Sequence, residues 1–223
     1  MLPDERGYFG EFGGRFVPET LVPALDQLNR AYEAIKTDAQ FWAEFSSLCR
    51  NYVGRPTPHK NLERLVEAFE ILNQEREDLF LVLAGKNDKN YQRIKRLVDS
   101  KNLTSQVIFT DFVSEGQLRW LYENCQAYIF PSLSEGFGLP GLEAMIHGAP
   151  VVSSNATCLP EIYGDAAHYF NPLDVEDMAE KINEVISDNT LRQRLVKTGH
   201  AQAARYSWQK TARQTLEIYK SLL

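Results

Sequence analysis

The sequence lacks the features that mark membrane, disulfide-rich and metal-binding proteins. No run of eighteen apolar residues exists, so no segment is predicted to span a bilayer. The three cysteines, Cys49, Cys125 and Cys158, form no CxxC pair, and the four histidines form no HxxxH pattern. Neither a disulfide framework nor a metal site is therefore predicted. The first residues carry acids and glycines where a secretory signal has an apolar block, which predicts a cytoplasmic protein.

An excess of basic charge is also missing. Thirty acidic side chains against 24 basic ones give a net charge of −6. A nucleic-acid binder needs a basic surface to neutralise phosphates, so that class is disfavoured. The 223 residues, 43% of them hydrophobic, suffice for one large domain or for a domain with an appendage.

From His59 onward, short apolar runs alternate with segments of helical periodicity. This alternation predicts an α/β fold with a doubly wound, Rossmann-like parallel sheet. Ligands of such sheets bind outside the carboxyl ends of the strands, so the residues after each strand are the informative ones. Strands are predicted at 79–83, 107–109, 127–130 and 150–153, and helices at 61–74, 91–101, 115–124, 141–147, 175–187, 190–198 and 208–222.

The first part of the chain lacks this alternation. Residues 1–18 hold glycines and phenylalanines without periodicity and are predicted to form a loop-rich arm. Helices are predicted at 21–36 and from Phe41 to about Arg50. We therefore predict two domains, an N-terminal appendage over 1–51 and the α/β domain over 52–223.

The stretch from Ser134 to Met145 carries the most specific chemistry. It follows an apolar strand and contains Gly136 and Gly138, whose backbone amides can approach a ligand closely. The helix that follows presents free amide donors and a partial positive charge, which suits a diphosphate. Glu135 and Glu143 flank this loop, and carboxylates accept hydrogen bonds from the vicinal hydroxyls of a sugar.

Cations are needed beside a diphosphate when two carboxylates lie close by. Arg55 and Lys60 can supply them, each charge-assisted bond contributing about 1.5–3 kcal/mol. Their alternative role is that of solvated surface cations. Gly136 to Gly141 also spell G-x-G-x-x-G, but no acidic residue ends the next strand, which disfavours a dinucleotide site; a plain tight turn is a further alternative.

Residues 52–223 closely resemble the C-terminal, nucleotide-sugar-binding domain of retaining GT-B glycosyltransferases, a group that includes mannosyltransferases. The resemblance rests on Gly54-Arg55, Lys60-Asn61, Leu83-Ala84-Gly85, Phe112-Val113, the Glu135-x7-Glu143 pair, Gly148-Ala149-Pro150-Val151-Val152 and Leu159-Pro160-Glu161.

The resemblance implies a donor ligand, a UDP- or GDP-sugar, and no further cofactor. It also assigns roles to individual residues: Arg55 and Lys60 would bind the diphosphate, Val113 the base and Glu143 the ribose. Glu135 would face the sugar. The donor-binding residues implied are Arg55, Lys60, Gly85, Val113, Glu135, Gly136, Phe137, Gly138, Leu139 and Glu143.

Residues 1–58 resemble the N-terminal segment of the tryptophan synthase beta chain. The likeness covers Gly7 to Leu21, Phe41 to Phe45 and Tyr52 to Pro58. The two resemblances overlap at 52–58, which predicts a chimera joined there. The fragment stops before the pyridoxal-phosphate lysine of that enzyme, and Lys60 follows Pro58 in an unrelated context, so no pyridoxal-phosphate chemistry is expected.

The junction conflicts with the first strand of the sugar-nucleotide domain. That strand is central and needs an apolar run before Tyr52, yet Arg50 and Asn51 put a charge and an amide there. We expect at most a short strand at Tyr52 and Val53. Loss of that strand would displace Arg55 and Lys60 more than any other site residue.

Two hypotheses about function follow. In the first, the chain is the donor-binding half of a retaining glycosyltransferase, without the acceptor domain and without complete activity of its own. In the second, it is a recombined scaffold with no ligand. Apolar surfaces that have lost their covering domain favour a homodimer. It would form through those surfaces or through the N-terminal arm.

Overall fold

The computed structural model describes residues 57–85 and 89–221, together with the backbone of 8–9 and 12–13. The side chains of Lys89 and Ser221 are excepted. The chain divides into two compact units, Met1–Arg50 and Asn51–Leu223. The predicted helices at 21–36 and 41–50, the predicted strand at Tyr52 and the site residue Arg55 lie outside the described residues.

The first unit contains a short antiparallel pair of strands, β1 (Tyr8–Phe9) and β2 (Phe12–Gly13). Tyr8 is paired with Gly13 and Phe9 with Phe12.

The second unit alternates helices with short strands, as the sequence predicts. A 3-10 turn, Pro58–Lys60, precedes the first helix. The elements in chain order are α1 (Leu62–Glu75), β3 (Leu81–Leu83), α2 (Lys89–Ser100), β4 (Val107–Phe109), α3 (Glu115–Asn124), β5 (Tyr128–Phe130), α4 (Leu139–Ile146), β6 (Val151–Ser154), α5 (Leu159–Tyr163), β7 (Ala167–Phe170), α6 (Val175–Ser187), α7 (Asn189–Ala203) and α8 (Trp208–Ser221).

The strands of this unit are parallel, and the described ones pair in two groups, β3–β4 and β5–β6–β7. Strands β3 and β4 pair with Leu81 opposite Val107. Strand β6 lies between β5 and β7, pairing Val152 with both Ile129 and His168. No hydrogen-bonded strand joins β3 to β5 within the described residues. The first strand of a doubly wound sheet is expected at the place between them, and the residues predicted to form it lie outside the described ones.

The core lies on both faces of these sheets. Strand β6 is buried at all four residues, and its successive side chains enter different apolar clusters. Val152 packs with residues of α1, α2 and α6, whereas Val151 packs with residues of α4 and α5. Adjacent strand residues point to opposite faces, so this split shows that helices cover β6 on both sides.

Side-chain caps fix several helix ends. Ser114 and Gln117 form a capping box at the start of α3, and Asp188 accepts hydrogen bonds from Thr190 and Leu191 at the start of α7. The last helix, α8, is exposed along its described length, with Trp208 77% exposed. Among helices built from described residues, none is both long and apolar enough to cross a membrane.

Several boundaries differ from the sequence-based expectations. Helix α4 begins at Leu139 instead of Gly141, because a proline is compatible with the first turn of a helix. Strand β3 begins at Leu81 instead of Leu79. Helix α5 and strand β7 were missed altogether; a 3-10 turn over Gly164–Ala166 joins them and hides the regular alternation.

Candidate functional site

Lys60 and Glu135 form an ion pair at the carboxyl end of β5. The Lys60 Nζ atom lies 2.6 Å from Glu135 Oε1, and the side chains are 19% and 14% exposed. The same ammonium lies 5.3 Å from the centre of the Phe130 ring, within the range of a cation–π interaction. The structure thus brings together two of the predicted site residues, which are 75 positions apart in the sequence.

Asn61 holds the backbone that carries Lys60. This residue is 2% exposed and has a left-handed backbone with φ of 58°. Its Nδ2 atom donates to the carbonyl oxygens of Pro131, at 3.1 Å, and Pro172, at 2.8 Å. Beside it, the amide of Leu133 donates to the His59 carbonyl oxygen at 2.7 Å. Contacts to the segments after β5 and β7 therefore position Lys60.

The backbone of Glu135 is held from the other side by the loop after β6. Its amide donates to Thr157 Oγ1 at 3.2 Å, and its carbonyl oxygen accepts a bond from Cys158 Sγ at 3.3 Å. Thr157 has φ of 53°, a left-handed conformation that is uncommon for a branched residue. These bonds fix the start of the glycine-rich loop against the neighbouring strand.

Gly138 is required by the packing of the loop. Its φ is +88°, and an added Cβ would lie 2.5 Å from Tyr163 Oη and 2.7 Å from Leu159 Cδ2. The Tyr163 hydroxyl donates to the Gly138 carbonyl oxygen at 2.6 Å. A Cβ on Gly141 would also collide with the Tyr163 ring. The fold itself thus explains two glycines of the G-x-G-x-x-G pattern.

Gly136 is different, because open space lies where its side chain would be. An added Cβ would meet no atom of the described chain within 4 Å, and the residue is exposed. The neighbouring Phe137 is 39% exposed and contacts Tyr206 edge-on at 5.5 Å. Leu139, 45% exposed, begins α4, whose first amides have no partner inside the helix. The loop therefore offers open space and backbone donors at Gly136, Phe137 and Leu139.

Glu143 lies in the second turn of α4 and is half-buried. Burial raises the pKa of its carboxyl above the ordinary value. Burial, and then the charges of its neighbours, Glu143 and Glu135 among them, raises the pKa of the Tyr128 hydroxyl. Both carboxylates therefore lie close enough to Tyr128 to act on its hydroxyl.

Two predicted site residues lie at the other sheet. Gly85 follows β3, and its amide donates to the Asp111 carbonyl oxygen at 3.2 Å. Val113 follows β4, is half-buried, and directly precedes the Ser114 cap of α3. They share the carboxyl end of the β3–β4 pair. No described contact joins them to Glu135 or to the glycine-rich loop.

The arrangement at β5 suits a polar, anionic ligand. A cation, open backbone amides and the start of α4 can bind phosphate oxygens, while two carboxylates can accept bonds from hydroxyls. No group of three potential metal ligands from His, Cys, Asp or Glu occurs in the described ranges. A phosphate would have to compete with Glu135 for the ammonium of Lys60.

Sequence reasoning missed the residues that support this site. Asn61 was noted as part of a motif but given no role, although an asparagine before a helix is a candidate for left-handed backbone. Thr157 and Tyr163 carried no recognisable signal, because their partners lie 22 and 25 residues away along the chain. Their roles follow from tertiary contacts alone.

Comparison with known proteins identifies the family. Residues 51–202 match the family described as glycosyl transferases group 1. The chain belongs to the group 1 glycosyltransferases. This match confirms that the larger part of the chain resembles the glycosyltransferases. Solved structures of the same fold confirm the predicted α/β fold class with parallel strands.

Among curated proteins, this glycosyltransferase chain is 41% identical over 169 residues to the serotype-specific mannosyltransferase WbdA of Escherichia coli. That match covers 74% of the chain and 21% of WbdA. The chain thus spans about a fifth of that relative's length.

Solved structures show the same architecture. Sucrose-phosphate synthase from Thermosynechococcus elongatus is 28% identical with a TM-score of 0.67, over 76% of this chain and 44% of that one. HepE from Anabaena, solved in complex with UDP and glucose, is 21% identical with a TM-score of 0.63, over 75% of this chain and 46% of that one. The HepE likeness concerns the fold alone.

A second segment of this glycosyltransferase chain matches an unrelated enzyme. The tryptophan synthase beta chain of Ruegeria pomeroyi is 58% identical over 65 residues. These are 29% of this chain and 16% of that protein. The resemblance to a tryptophan synthase segment is therefore confirmed, whereas the predicted position of the join and the domain boundaries stay predictions.

Proposed function

We propose that this group 1 glycosyltransferase chain binds a nucleotide diphosphate sugar, a UDP- or GDP-sugar, at the carboxyl end of β5. The observation that carries the proposal is the pairing of Lys60 with Glu135 beside the open backbone of Gly136. This places one cation and unobstructed amides at the start of a helix, where a diphosphate is favoured. HepE, which shares the fold, was solved with UDP and glucose, in keeping with this ligand class.

The roles proposed for individual residues follow from their surroundings. Lys60 exchanges Glu135 for a phosphate oxygen when the donor binds, and the amides of Gly136 to Leu139 donate hydrogen bonds to the remaining phosphate oxygens. Glu135, released from Lys60, is then available to hydroxyls of the sugar. Glu143 accepts bonds from the ribose; its partial burial strengthens such bonds because water competes less. Arg55, Gly85 and Val113 stay predictions.

Donor binding is expected to be weak, and glycosyl transfer is not expected from this chain by itself. The matched family segment accounts for the donor side of the fold, and the acceptor domain expected from the resemblance has no counterpart in the match. We propose a dissociation constant in the high micromolar to millimolar range, about −4 to −6 kcal/mol. Cytoplasmic location and homodimer formation are further proposals.

Isothermal titration with UDP-glucose and GDP-mannose tests the proposal. The matched pair of variants is Glu143→Ala and Glu67→Ala, since both glutamates are half-buried on helices but Glu67 lies on α1, away from the glycine-rich loop. Binding should be lost in the first variant and kept in the second. A protein that binds no donor at millimolar concentration supports the scaffold hypothesis instead. Turnover of a donor with an acceptor would contradict the proposed lack of transfer.

A further inference from the structure

Hydrogen bonds hold the glycine-rich loop at both ends. The backbone of Glu135 is bonded to the loop after β6, and the Gly138 carbonyl oxygen accepts the bond from Tyr163. Between them, the amides of Gly136 and Phe137 donate to no acceptor among the described contacts. Donors bind a ligand best when they are already held in place before it arrives. Side-chain packing must therefore order these two residues if their amides are to bind a ligand well.

The ring of Phe137 packs against Tyr206. The two ring centres are 5.5 Å apart and the ring planes meet at 86°, which is the edge-to-face arrangement that aromatic pairs prefer. Phe137 has no other ring contact among the described residues. Tyr206 is half-buried and packs against the apolar cluster that includes Leu142 and Tyr163. The middle of the loop therefore leans on a side chain that is itself part of the core.

A hydrogen bond anchors Tyr206 to α5. Tyr206 lies between α7 and α8, and its hydroxyl donates to the Ile162 carbonyl oxygen at 3.2 Å. Ile162 belongs to α5, the same helix whose Tyr163 bonds to the Gly138 carbonyl oxygen. One helix thus holds the loop at two places, directly at Gly138 and, through Tyr206, at Phe137.

We propose that Tyr206 is a positioning residue for donor binding, whose ring holds Phe137 so that the amides of Gly136 and Phe137 face the diphosphate. The inference rests on the proposed donor site. Tyr206 lies beyond residue 202, where the family match ends, and it acts through Phe137 instead of touching the donor. Without its ring, the donor has to order the loop itself, and part of the binding free energy is lost to that ordering.

Two substitutions of Tyr206 separate its ring from its hydroxyl. The assay is an NMR titration of the isotopically labelled full chain with UDP-glucose and with GDP-mannose, which measures dissociation constants in the millimolar range. Tyr206→Leu should weaken binding about threefold to tenfold, the range that corresponds to loss of an aromatic pair. Tyr206→Phe keeps the ring, and Gln202 still bonds to the Ile162 carbonyl oxygen. Its binding should stay within about twofold of the parent.

Gln202→Leu is the matched control for stability. The Gln202 Nε2 atom donates to the same Ile162 carbonyl oxygen, at 2.6 Å, but no described hydrogen bond joins Gln202 to residues 135–139. This variant should lower the melting temperature because a buried bond is lost, yet leave donor affinity within about twofold of the parent. In the absence of donor, the NMR order parameter of the Gly136 amide should fall in Tyr206→Leu and stay unchanged in Gln202→Leu.

A substitution of Phe137 tests the route by which Tyr206 acts. Phe137 is 39% exposed, so Phe137→Leu should fold even if Tyr206→Leu does not. It should weaken donor binding and lower the order parameter of the Gly136 amide in the same way as Tyr206→Leu. The double variant should bind no more weakly than the weaker single variant, because both changes break one contact. Additive losses, or a Phe137→Leu variant that binds like the parent, would overturn the proposal.

The same titrations separate failure of this inference from failure of the donor site. If the parent binds a donor and Tyr206→Leu binds it equally well, Tyr206 has no positioning role and the donor site stands. Equal losses of affinity in Tyr206→Leu and Gln202→Leu would show an effect of stability alone, and they too overturn the role of Tyr206. If the parent binds neither donor, the proposed function fails and the inference fails with it.

Discussion

Substituting Gly138 by alanine tests the structural account of the glycine-rich loop. The new methyl group would meet Tyr163 Oη at 2.5 Å while the backbone keeps φ of +88°. Left-handed backbone costs a non-glycine residue about 1–2 kcal/mol. Moving the Tyr163 hydroxyl away breaks its 2.6 Å bond to the Gly138 carbonyl oxygen, which costs about 1–3 kcal/mol when a buried group is left unpaired.

The expected loss of stability is therefore about 2–5 kcal/mol. For a domain of this size, each kcal/mol shifts the melting temperature by about 2–4 °C, so Gly138→Ala should melt about 4–20 °C lower. Differential scanning calorimetry measures both quantities. The matched control is Gly136→Ala, because its methyl group enters open space; its stability should change by less than about 0.5 kcal/mol.

A second substitution identifies the cause of the loss. Tyr163→Phe removes the oxygen that the new methyl group would meet, while Leu159 Cδ2 at 2.7 Å stays in place. Gly138→Ala with Tyr163→Phe should therefore be less destabilised than the two single effects added, by about 0.5–3 kcal/mol. Additive effects, or a Gly138→Ala variant as stable as Gly136→Ala, would refute the close packing inferred for this loop.

Substitutions at three further residues test the rest of the site. Lys60→Met should reduce the free energy of unfolding by about 1.5–3 kcal/mol because the partly buried Glu135 loses its ion pair; urea unfolding measures this, and a variant as stable as the parent would contradict it. Glu143→Gln should be more stable than the parent at neutral pH but not below pH 4.5, the ordinary pKa. The folded state holds the Glu143 proton more tightly, so the parent loses stability as pH rises through the raised pKa, and glutamine does not. Unfolding measured at several pH values checks this. A difference in stability between parent and variant that does not change with pH would contradict it. Asn61→Ala should lower the free energy of unfolding by about 2–4 kcal/mol, because it loses the hydrogen bonds to two carbonyl oxygens and puts alanine in left-handed backbone. Asn61→Gly loses the same hydrogen bonds but tolerates that backbone, so the difference between the two variants gives the backbone contribution.

The bounds of an element can be predicted from the sequence where its ends carry local signals. Helix α3 has the predicted bounds, Glu115–Asn124, because Ser114 and Gln117 cap it within one turn. Strand β4 also has the predicted bounds, Val107–Phe109. Strand β7, Ala167–Phe170, was missed because a histidine and a tyrosine occupy its middle, so that no apolar run is visible in the sequence.

The candidate site is predictable in composition but not in geometry. Glycines and carboxylates after an apolar strand indicate an anion or sugar site without any coordinates. The sequence cannot separate the two kinds of glycine, however. Gly138 is fixed by Tyr163, which lies 25 residues further along the chain, while a Cβ on Gly136 would meet no described atom within 4 Å. Such long-range contacts have no local signature.

Loss of the strand expected between β3 and β5 would affect the sheet without displacing Lys60. A gap between β3 and β5 was expected to displace Lys60, yet its ammonium lies 2.6 Å from Glu135. The reason is that Asn61 bonds to Pro131, which follows β5, and to Pro172, which follows β7, and has no hydrogen bond to β3 among the described contacts. The position of Lys60 should therefore depend mainly on Asn61, and little on what lies between β3 and β5.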